Sequence, residues 1–585
     1  MALRNADVAD LIDRLGDLYE LDGAVIYRVL AYRKAAARIR QTGESVERLS
    51  IEGRLTELPD VGDTIAAKIA ELRKTGGLAA YEKLAVRYPE TLIEIMHLPG
   101  VGAKTTRKLF DALGTATIDD LKAACEAGRV RDIPGLGIKA EEKILQAIAA
   151  GGGPRKGAIL LDRALERAGE LLGGLREHPA CVAASEAGSL RRRRETVGDI
   201  DLIAASADPP TLLAAFTALP AVAETTARGE TKASILTHDG VQVDLRVVPP
   251  ESYGNLLQHF TGSKAHNVAM REVAVQAGLS ISEWGIEETE TGVVHRMASE
   301  DEVYAFLGYQ PIPPELREHA GELEAARAGT LPPLVTLDDI RGDLHSHTTA
   351  SDGKATIAEM AAAATARGYG YLALTDHSAG VGMGIGIEAE ALLAHCERIR
   401  AHRTAAARDG LVLLAGAEVD IMADASLYYD DEVLAGLDWV VASVHVAQRQ
   451  DRDRMTARLV AAASHPHVDV IGHPSGRQLG QREPYDFDLE AVIAACAEHG
   501  TFLEVNANPR RLDLAPPAIR LAVAAGVPLV ISTDAHQIST LDFMRYGVAT
   551  ARRGWATAAD VANTLEWSDL AARRKSGRPA VATPA

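Results

Sequence analysis

In the last two-fifths of this 585-residue chain, short apolar runs end repeatedly on a side chain that binds metals. GDLHSH (342–347) opens the series. YLALTDH (371–377), LVLLAGAE (411–418), WVVASVH (439–445), VDVIGH (468–473) and PLVISTDAH (528–536) follow. Runs rich in Val, Ile and Leu that alternate with helical stretches predict parallel strands buried on both faces. A ligand at the C-terminal end of each strand would point into the mouth of a barrel, where α/β barrels carry their chemistry. The candidate ligands are His345, His347, Asp352, His377, Glu418, His445, His473, Asp534 and His536. Imidazole and carboxylate without thiolate suit Zn²⁺, Mn²⁺ or Fe²⁺, and a cluster of them suits phosphoester hydrolysis. One His after a strand is ordinarily a surface or core residue, but six such strand ends are not explained that way. His395, His402, His465, His467 and His499 lack this placement and are set aside.

These residues carry a resemblance. RGDLHSHTTASDG (341–353), TDHS (375–378), GAEVD (416–420), SVH (443–445), GHP (472–474) and STDAH (532–536) resemble the PHP (polymerase and histidinol phosphatase) domain. The resemblance implies a distorted (β/α)₇ barrel with a Zn²⁺, Mn²⁺ or Fe²⁺ cluster of three ions. His345, His347, Glu418 and Asp534 are expected around one ion, with Glu418 bridging to another. Asn506, at the end of TFLEVN (501–506), is expected to support the ligands.

A chain this long exceeds a single core and should form three to five domains. Its 47% hydrophobic and 24% charged composition is that of a soluble globular protein. No run approaches the 18 apolar residues of a membrane span, and MALRNADVADLIDRL reads as a charged helix rather than a signal peptide. Cys125, Cys181, Cys396 and Cys496 show no pairing or metal spacing and fit a reducing cytoplasm. A net charge of −19 argues against bulk electrostatic attraction to DNA. Residues 1–150, however, hold 22 Lys+Arg against 23 Asp+Glu, so the negative excess lies further on. DNA contact here must rest on local patches and backbone amides.

That first region reads as helical and repeats one turn three times: LPDVGDTIAAKI (58–69), LPGVGAKTTRKL (98–109) and IPGLGIKAEEKI (133–144). Each is an apolar residue, Pro, a short turn closed by Gly, then a helix start. The glycines allow close approach of a phosphate to the free N–H groups of the helix. These turns resemble helix-hairpin-helix elements, which grip DNA backbone without reading sequence. Gly62, Gly100, Gly102, Gly135 and Gly137 are the DNA-contact candidates. GGGPRKG (151–157) reads as a hinge, and the strand patterns that follow contain a second set of carboxylates. GSLRRRRETVGDIDLI (188–203) puts Asp199 and Asp201 two residues apart on a strand, hence on one face. In VQVDLRVVP (241–249), Asp244 sits on the polar face of its own strand. Three carboxylates so placed suit two Mg²⁺ or Mn²⁺ ions about 4 Å apart, the arrangement for in-line phosphoryl transfer. The small-residue turn Gly188-Ser189 suits phosphate, and Arg192 is the first choice for a guanidinium contact to a triphosphate.

This stretch and HFTGSKAHNVAMR (259–271) resemble the palm and thumb of the family X DNA polymerases, within the nucleotidyltransferase superfamily. Carried over residue by residue, the resemblance places Phe260, Gly262, Ser263, Asn267 and Arg271 beside the incoming nucleotide. His259 stands where many relatives have a Tyr linked to excluding ribonucleotides. Lys68 matches the family's Schiff-base lysine for 5′-deoxyribose-phosphate removal. Asp60 and Asp63 replace the Gly and neutral residue common in the first turn. The whole chain resembles bacterial and archaeal family X polymerases fused to a PHP domain. The expected fold is multidomain, α and α/β: a lyase-like helical domain (1–85), fingers (86–155), an α+β palm (156–250), a thumb (251–315), a Pro-rich linker (316–339), the PHP barrel (340–572) and a disordered tail (573–585). The implied function is gap filling in base excision repair, with 3′→5′ exonuclease activity in the barrel and abasic-site endonuclease or 3′-phosphatase activity as variants of that chemistry. Gapped or primer-template DNA and dNTPs are the implied partners. A cytoplasmic monomer away from membranes is expected. The competing expectation is a PHP phosphoesterase whose polymerase half only binds DNA.

Overall fold

The computed structural model describes residues 5–41, 46–58, 60–98, 101–149, 159–381, 386–575 and 581. The expected hinge at 151–157 and Gly100 lie outside the described residues, as do 576–580 and 582–585 of the expected disordered tail. The described part of that tail is anchored: Arg573 ends the helix Trp567–Arg573, and Lys575 Nζ donates to Ala463 O at 2.9 Å. Two compact units are present. One comprises Met1–Ile159, Glu166–Glu186 and Gly198–Pro250, the other Leu160–Leu165, Ala187–Val197 and Glu251–Ala585. No described helix is long and apolar enough to cross a membrane.

The first unit begins with helices. Asn5–Leu21 buries Val8, Ile12 and Leu15, spaced along one face, against Tyr32, Ala35 and Ile39 of Ile26–Gln41. Each hairpin turn leads into a helix: Asp63–Thr75 after Gly62, Ala103–Leu113 after Gly102, and Ile138–Ala149 after Gly137. A Cβ on Gly62, Gly102 or Gly137 would meet no atom within 4 Å, so the helix starts are open to an approaching group. The turns differ at one position. Gly135 takes a left-handed φ of 84°, and Asp60, its counterpart, takes 64°. A residue with a Cβ pays roughly 1 kcal/mol there that glycine does not.

The palm is a five-stranded sheet of β1 (Ala183–Glu186), β2 (Ile200–Ala205), β3 (Val222–Arg228), β4 (Lys232–Thr237) and β5 (Gln242–Val248), in the order β1-β2-β5-β4-β3. β2 and β5 run parallel and the other pairs antiparallel. Val243, Leu245 and Val247 are buried and alternate with Gln242, Asp244 and Arg246, the period-two pattern of the sequence.

In the second unit, the thumb joins the helices Tyr253–Thr261, Lys264–Gln276 and Glu300–Phe306 to a small antiparallel sheet of β6 (Leu279–Ser282), β7 (Gly285–Glu288) and β8 (Val294–His295). A buried ion-pair group ties it together: Glu300 meets Arg317 at 2.5 Å and Arg191 at 2.9 Å. The stretch 316–339 is not the linker expected from its Pro and charge content. It carries the helix Glu322–Ala328, and Leu316, Leu323 and Ala326 pack with Tyr304 and Ile312. Arg520 of the barrel clasps it through Ala320 O (2.7 Å), and Arg552 holds Glu315 just before it (2.8 Å).

The barrel has seven parallel strands in sequence order: β9 (Gly342–Asp343), β10 (Tyr371–Leu374), β11 (Val412–Asp420), β12 (Trp439–Ser443), β13 (Val470–Ile471), β14 (Phe502–Asn506) and β15 (Leu529–Ser532). A bridge between Ser346 and Ala535 links the chain after the first strand to that after the last, so the barrel is nearly closed. Every residue of these strands is buried, as runs without polar alternation predict. Tyr371, Leu414, Trp439, Val470, Phe502 and Val530 share one buried cluster with Trp567 of the last helix.

Candidate active sites of the barrel and the palm

All the strand-end ligands converge. His347, Asp352, His377 and His536 form one group whose ligand atoms lie within 4.8 Å of one another. His345, His347 and Asp534 form a second, and His377, Glu418 and His445 a third. His347 and His377 are each shared, which links the three groups into one chain of ion positions. His473 joins through Nε2, 2.8 Å from Glu418 Oε1. Glu418 also stands 3.4 Å from His345 Nε2 and 3.4 Å from His445 Nε2, between the second and third groups. The five histidines set aside belong to none of these groups.

The residues fit divalent ions. His345 Nε2, both ring nitrogens of His347 and Glu418 Oε2 are buried without a hydrogen-bond partner. A buried polar atom left so costs about 1–3 kcal/mol, which a bound cation removes. The electrostatics agree. Burial pushes the His347 imidazole down to about 4, with His536 and His377 adding to the effect. Burial opposes protonation of His445 and His536 as well, but Glu418 and Asp420 raise the first to about 9, and Asp352 and Asp534 raise the second to about 9. Burial disfavours the charged Asp352 carboxylate, yet His536 and His377 hold it down at about 2. The centre thus draws positive charge from every side.

A surrounding layer holds the ligands, and sequence reasoning found only part of it. Asn506 Nδ2 lies 3.2 Å from Asp534 Oδ2, the supporting place expected. Glu504 and Asp420 were missed. His345 Nδ1 donates to Glu504 Oε1 at 2.7 Å, and His445 Nδ1 to Asp420 Oδ1 at 3.0 Å. Asp376 accepts from Thr348 N (2.8 Å) and Ser351 Oγ (2.6 Å), bracing the loop that carries Asp352. Arg511 Nε lies 3.4 Å from Asp534 Oδ2 and helps keep that carboxyl ionised. The available signal was the strand period: Glu504 and Asn506 are two residues apart on β14 and share a face.

In the palm, Asp201 and Asp244 are paired across the parallel strands β2 and β5, and Asp199 immediately precedes β2. Oxygens of all three lie within 4.8 Å of one another. Asp244 Oδ1 is buried without a partner, and Lys232 Nζ stands 3.4 Å from Oδ2. The trio fits divalent ions with oxygen preference.

The nucleotide candidates lie around another turn. Gly188 has φ 57° at the start of the short helix Gly188–Arg191, with Ser189 next to it. Arg192 is engaged: Nη1 donates to Thr261 O at 2.5 Å and Nε to Glu318 Oε1 at 3.1 Å. The partner carboxylate comes from the stretch 316–339, whose Pro and charge content reads as linker, so this contact has no local signature. Gly262 is required there, because a Cβ would come within 3.1 Å of Arg192 Nη1 and its φ is 67°. Ser263 caps Lys264–Gln276, Asn267 Nδ2 donates to His259 O at 2.7 Å, and Arg271 Nη2 lies 3.4 Å from His259 Nε2. Phe260 rests against His259, ring centroids 5.5 Å apart. Lys68 lies in the second turn of Asp63–Thr75, half-buried.

Family models match a helix-hairpin-helix domain at residues 3–78, a SAM-like helix-hairpin-helix tandem at 90–150, a DNA polymerase beta thumb at 256–318 and a PHP domain at 343–508. The chain is 39% identical over 573 residues to the DNA polymerase/3′-5′ exonuclease PolX of Bacillus subtilis (strain 168), covering 97% of this chain and 99% of that one. Probable phosphatases of Caldanaerobacter subterraneus and Thermoanaerobacter are each 33% identical over 138 residues, 22% of this chain and 52% and 54% of theirs. With helix-hairpin-helix elements, a polymerase thumb and a PHP barrel in one chain, and near-complete coverage of that relative, this protein belongs to the PolX family of DNA polymerases.

Proposed function

We propose that this enzyme fills short gaps during base excision repair with its palm and trims 3′ ends with its barrel. It is a DNA polymerase and 3′→5′ exonuclease of the PolX family. The observation that supports two activities is the presence of two ligand sets of different chemistry: three carboxylates on the palm sheet, and a histidine-rich cluster in the barrel. In the palm, Asp199, Asp201 and Asp244 would hold the Mg²⁺ or Mn²⁺ ions that such chemistry uses. Asp244 Oδ1, unpartnered, takes the proton of the primer 3′-hydroxyl. Gly188 and Ser189 cradle the triphosphate, joined by Arg192 once it leaves Glu318. Phe260, Gly262, Ser263, Asn267 and Arg271 shape the nucleotide pocket. The hairpin turns at Gly62, Gly100, Gly102, Gly135 and Gly137 hold the DNA backbone, so sequence preference is slight. dNTPs are the second substrate, and the protein acts as a cytoplasmic monomer.

In the barrel, the nine candidate ligands would hold a cluster of three Zn²⁺, Mn²⁺ or Fe²⁺ ions. When bound, such ions supply an activated water near neutral pH and stabilise the leaving oxygen. Asp376, Asp420, Glu504 and Asn506 keep the ligands aimed inward. Abasic-site cleavage and 3′-phosphate removal are further outlets for the same chemistry. The test is a one-nucleotide-gapped duplex with Mn²⁺, comparing wild type, Asp199→Ala/Asp201→Ala and His345→Ala/His347→Ala. Loss of extension alone in the first variant and of degradation alone in the second supports both assignments. A wild type that degrades but never extends makes the polymerase half a DNA-binding module.

A further inference from the structure

β14 is the one barrel strand from which the sequence supplied no ligand, yet its Glu504 touches the ligand set at more points than its neighbours do. The side chain is fully buried. Oε1 accepts from His345 Nδ1 at 2.7 Å. Oε2 accepts from the backbone N–H of His473 at 2.5 Å and from Asn506 Nδ2 at 3.2 Å. The same Asn506 nitrogen reaches Asp534 Oδ2 at 3.2 Å. One carboxylate therefore connects ligands that follow β9, β13 and β15. The close approach is built into the backbone. A Cβ on Gly472 would lie 2.4 Å from Ser443 Oγ and 3.7 Å from Glu504 Oε2, so glycine lets the chain before His473 come this near.

The bond to His345 also decides which ring nitrogen is available. A neutral imidazole carries one N–H, and donating it from Nδ1 to a carboxylate leaves the lone pair on Nε2. His345 Nε2 is buried without a hydrogen-bond partner, 3.4 Å from Glu418 and 3.9 Å from Asp534. His347 differs: its Nε2 lies 3.2 Å from Asp534 Oδ1, itself a candidate ligand, and its Nδ1 has no hydrogen-bond partner, so no carboxylate behind the ring fixes its tautomer as Glu504 does for His345.

We propose that Glu504 is the positioning residue that sets ion affinity at the His345–His347–Asp534 group, by holding Nε2 of His345 toward the cluster and tying three ligand-bearing loops to one carboxylate. This rests on the metal-dependent reading of the barrel. The experiment uses the full-length protein, stripped with a chelator, desalted and titrated with Mn²⁺ alone, with bound ions counted directly. Glu504→Ala should weaken one class of Mn²⁺ sites by roughly 10–100-fold, the usual effect of removing such a partner. Glu504→Gln, which keeps an oxygen for the His345 N–H, should fall between it and wild type. Asp438→Asn serves as a structural control, since Asp438 is buried where it accepts from Ala415 N at 2.6 Å and it precedes β12 rather than following it. It should lower the melting temperature and leave Mn²⁺ affinity unchanged. Circular dichroism spectra resembling that of wild type and cooperative melts verify that the barrel folds in all three variants, and gap-filling extension should survive in each. Glu504→Ala binding Mn²⁺ as tightly as wild type would overturn the role given to Glu504 and leave the barrel reading intact. A wild type that binds no Mn²⁺ beyond the palm ions would overturn both.

Discussion

The palm and the barrel solve the same problem, gathering like charges, in opposite ways. In the palm, Asp199 is exposed, Asp244 is partly exposed, and among the described residues the candidate group is three carboxylates. In the barrel, Glu418 is buried and Asp534 nearly so, and histidines interleave the carboxylates. An ion in the palm must complete its coordination with substrate phosphates and water, as oxygen-bound Mg²⁺ commonly does. An ion in the barrel meets a pocket that the protein nearly completes alone. On the proposed reading, the palm would borrow its ions with each substrate and the barrel would keep them.

The largest test of that contrast is ligand removal. Asp199→Ala/Asp201→Ala should lower primer extension by at least about 10³, equivalent to about 4 kcal/mol of barrier, with degradation unchanged. His345→Ala/His347→Ala should do the reverse, and one substitution silencing both activities would erase the distinction. Retention comes next. After Mn²⁺ loading and desalting, elemental analysis should find ions still bound to wild type and to the palm double variant, but fewer on the barrel double variant. Equal loss from all three would mean the barrel also borrows.

A pH series sharpens the comparison further. In ion-free protein, His445 and His536 are each raised from 6.5 to about 9. A raised histidine contributes stability that is full below its unfolded value and lost as pH rises through the folded one. The ion-free barrel should therefore melt at lower temperature as pH climbs from 6.5 to about 9. Mn²⁺ binding displaces those protons and becomes tighter over the same range. Thermal melts with and without Mn²⁺ should diverge with rising pH, and parallel curves would refute the assignment. The palm trio contains no histidine and is the internal reference. The smallest effect concerns Lys232, half-exposed beside Asp244. Lys232→Gln should lower the Mg²⁺ concentration needed for extension by less than about fivefold, in keeping with the modest worth of exposed pairs. A change of many-fold would mean that Lys232 does more than compete for the carboxylate.

What the sequence made legible follows from local rules. Strands buried on both faces are apolar throughout, so a lone His, Asp or Glu closing such a run is conspicuous, and most of the nine barrel candidates stood out for that reason. The i, i+2 spacing of Asp199 and Asp201 was equally local. Glu504 was only faintly legible: its spacing from Asn506 is a local signal, but its role depends on His345, 159 positions earlier, being brought against it. Glu318 was hidden in the same way, 126 positions from Arg192. The error at 316–339 had a different origin. Proline and charge dominated the composition, while Leu316, Leu323 and Ala326 were too widely spaced to announce a packed helix.

The pairing of Asp201 with Asp244 has a consequence for how this enzyme tolerates change. The separation of the two carboxylates is measured out by the peptide ladder between β2 and β5, not by the side chains around them. A slip of one residue would carry Asp244 through to the opposite surface of the sheet while keeping most hydrogen bonds and an apolar interior. Single-residue insertions or deletions in the turn 238–240, just ahead of β5, would thus divide into two outcomes with little between them. Those the turn absorbs would leave synthesis intact, and those it passes into the strand would yield a folded protein that still holds DNA yet adds no nucleotide.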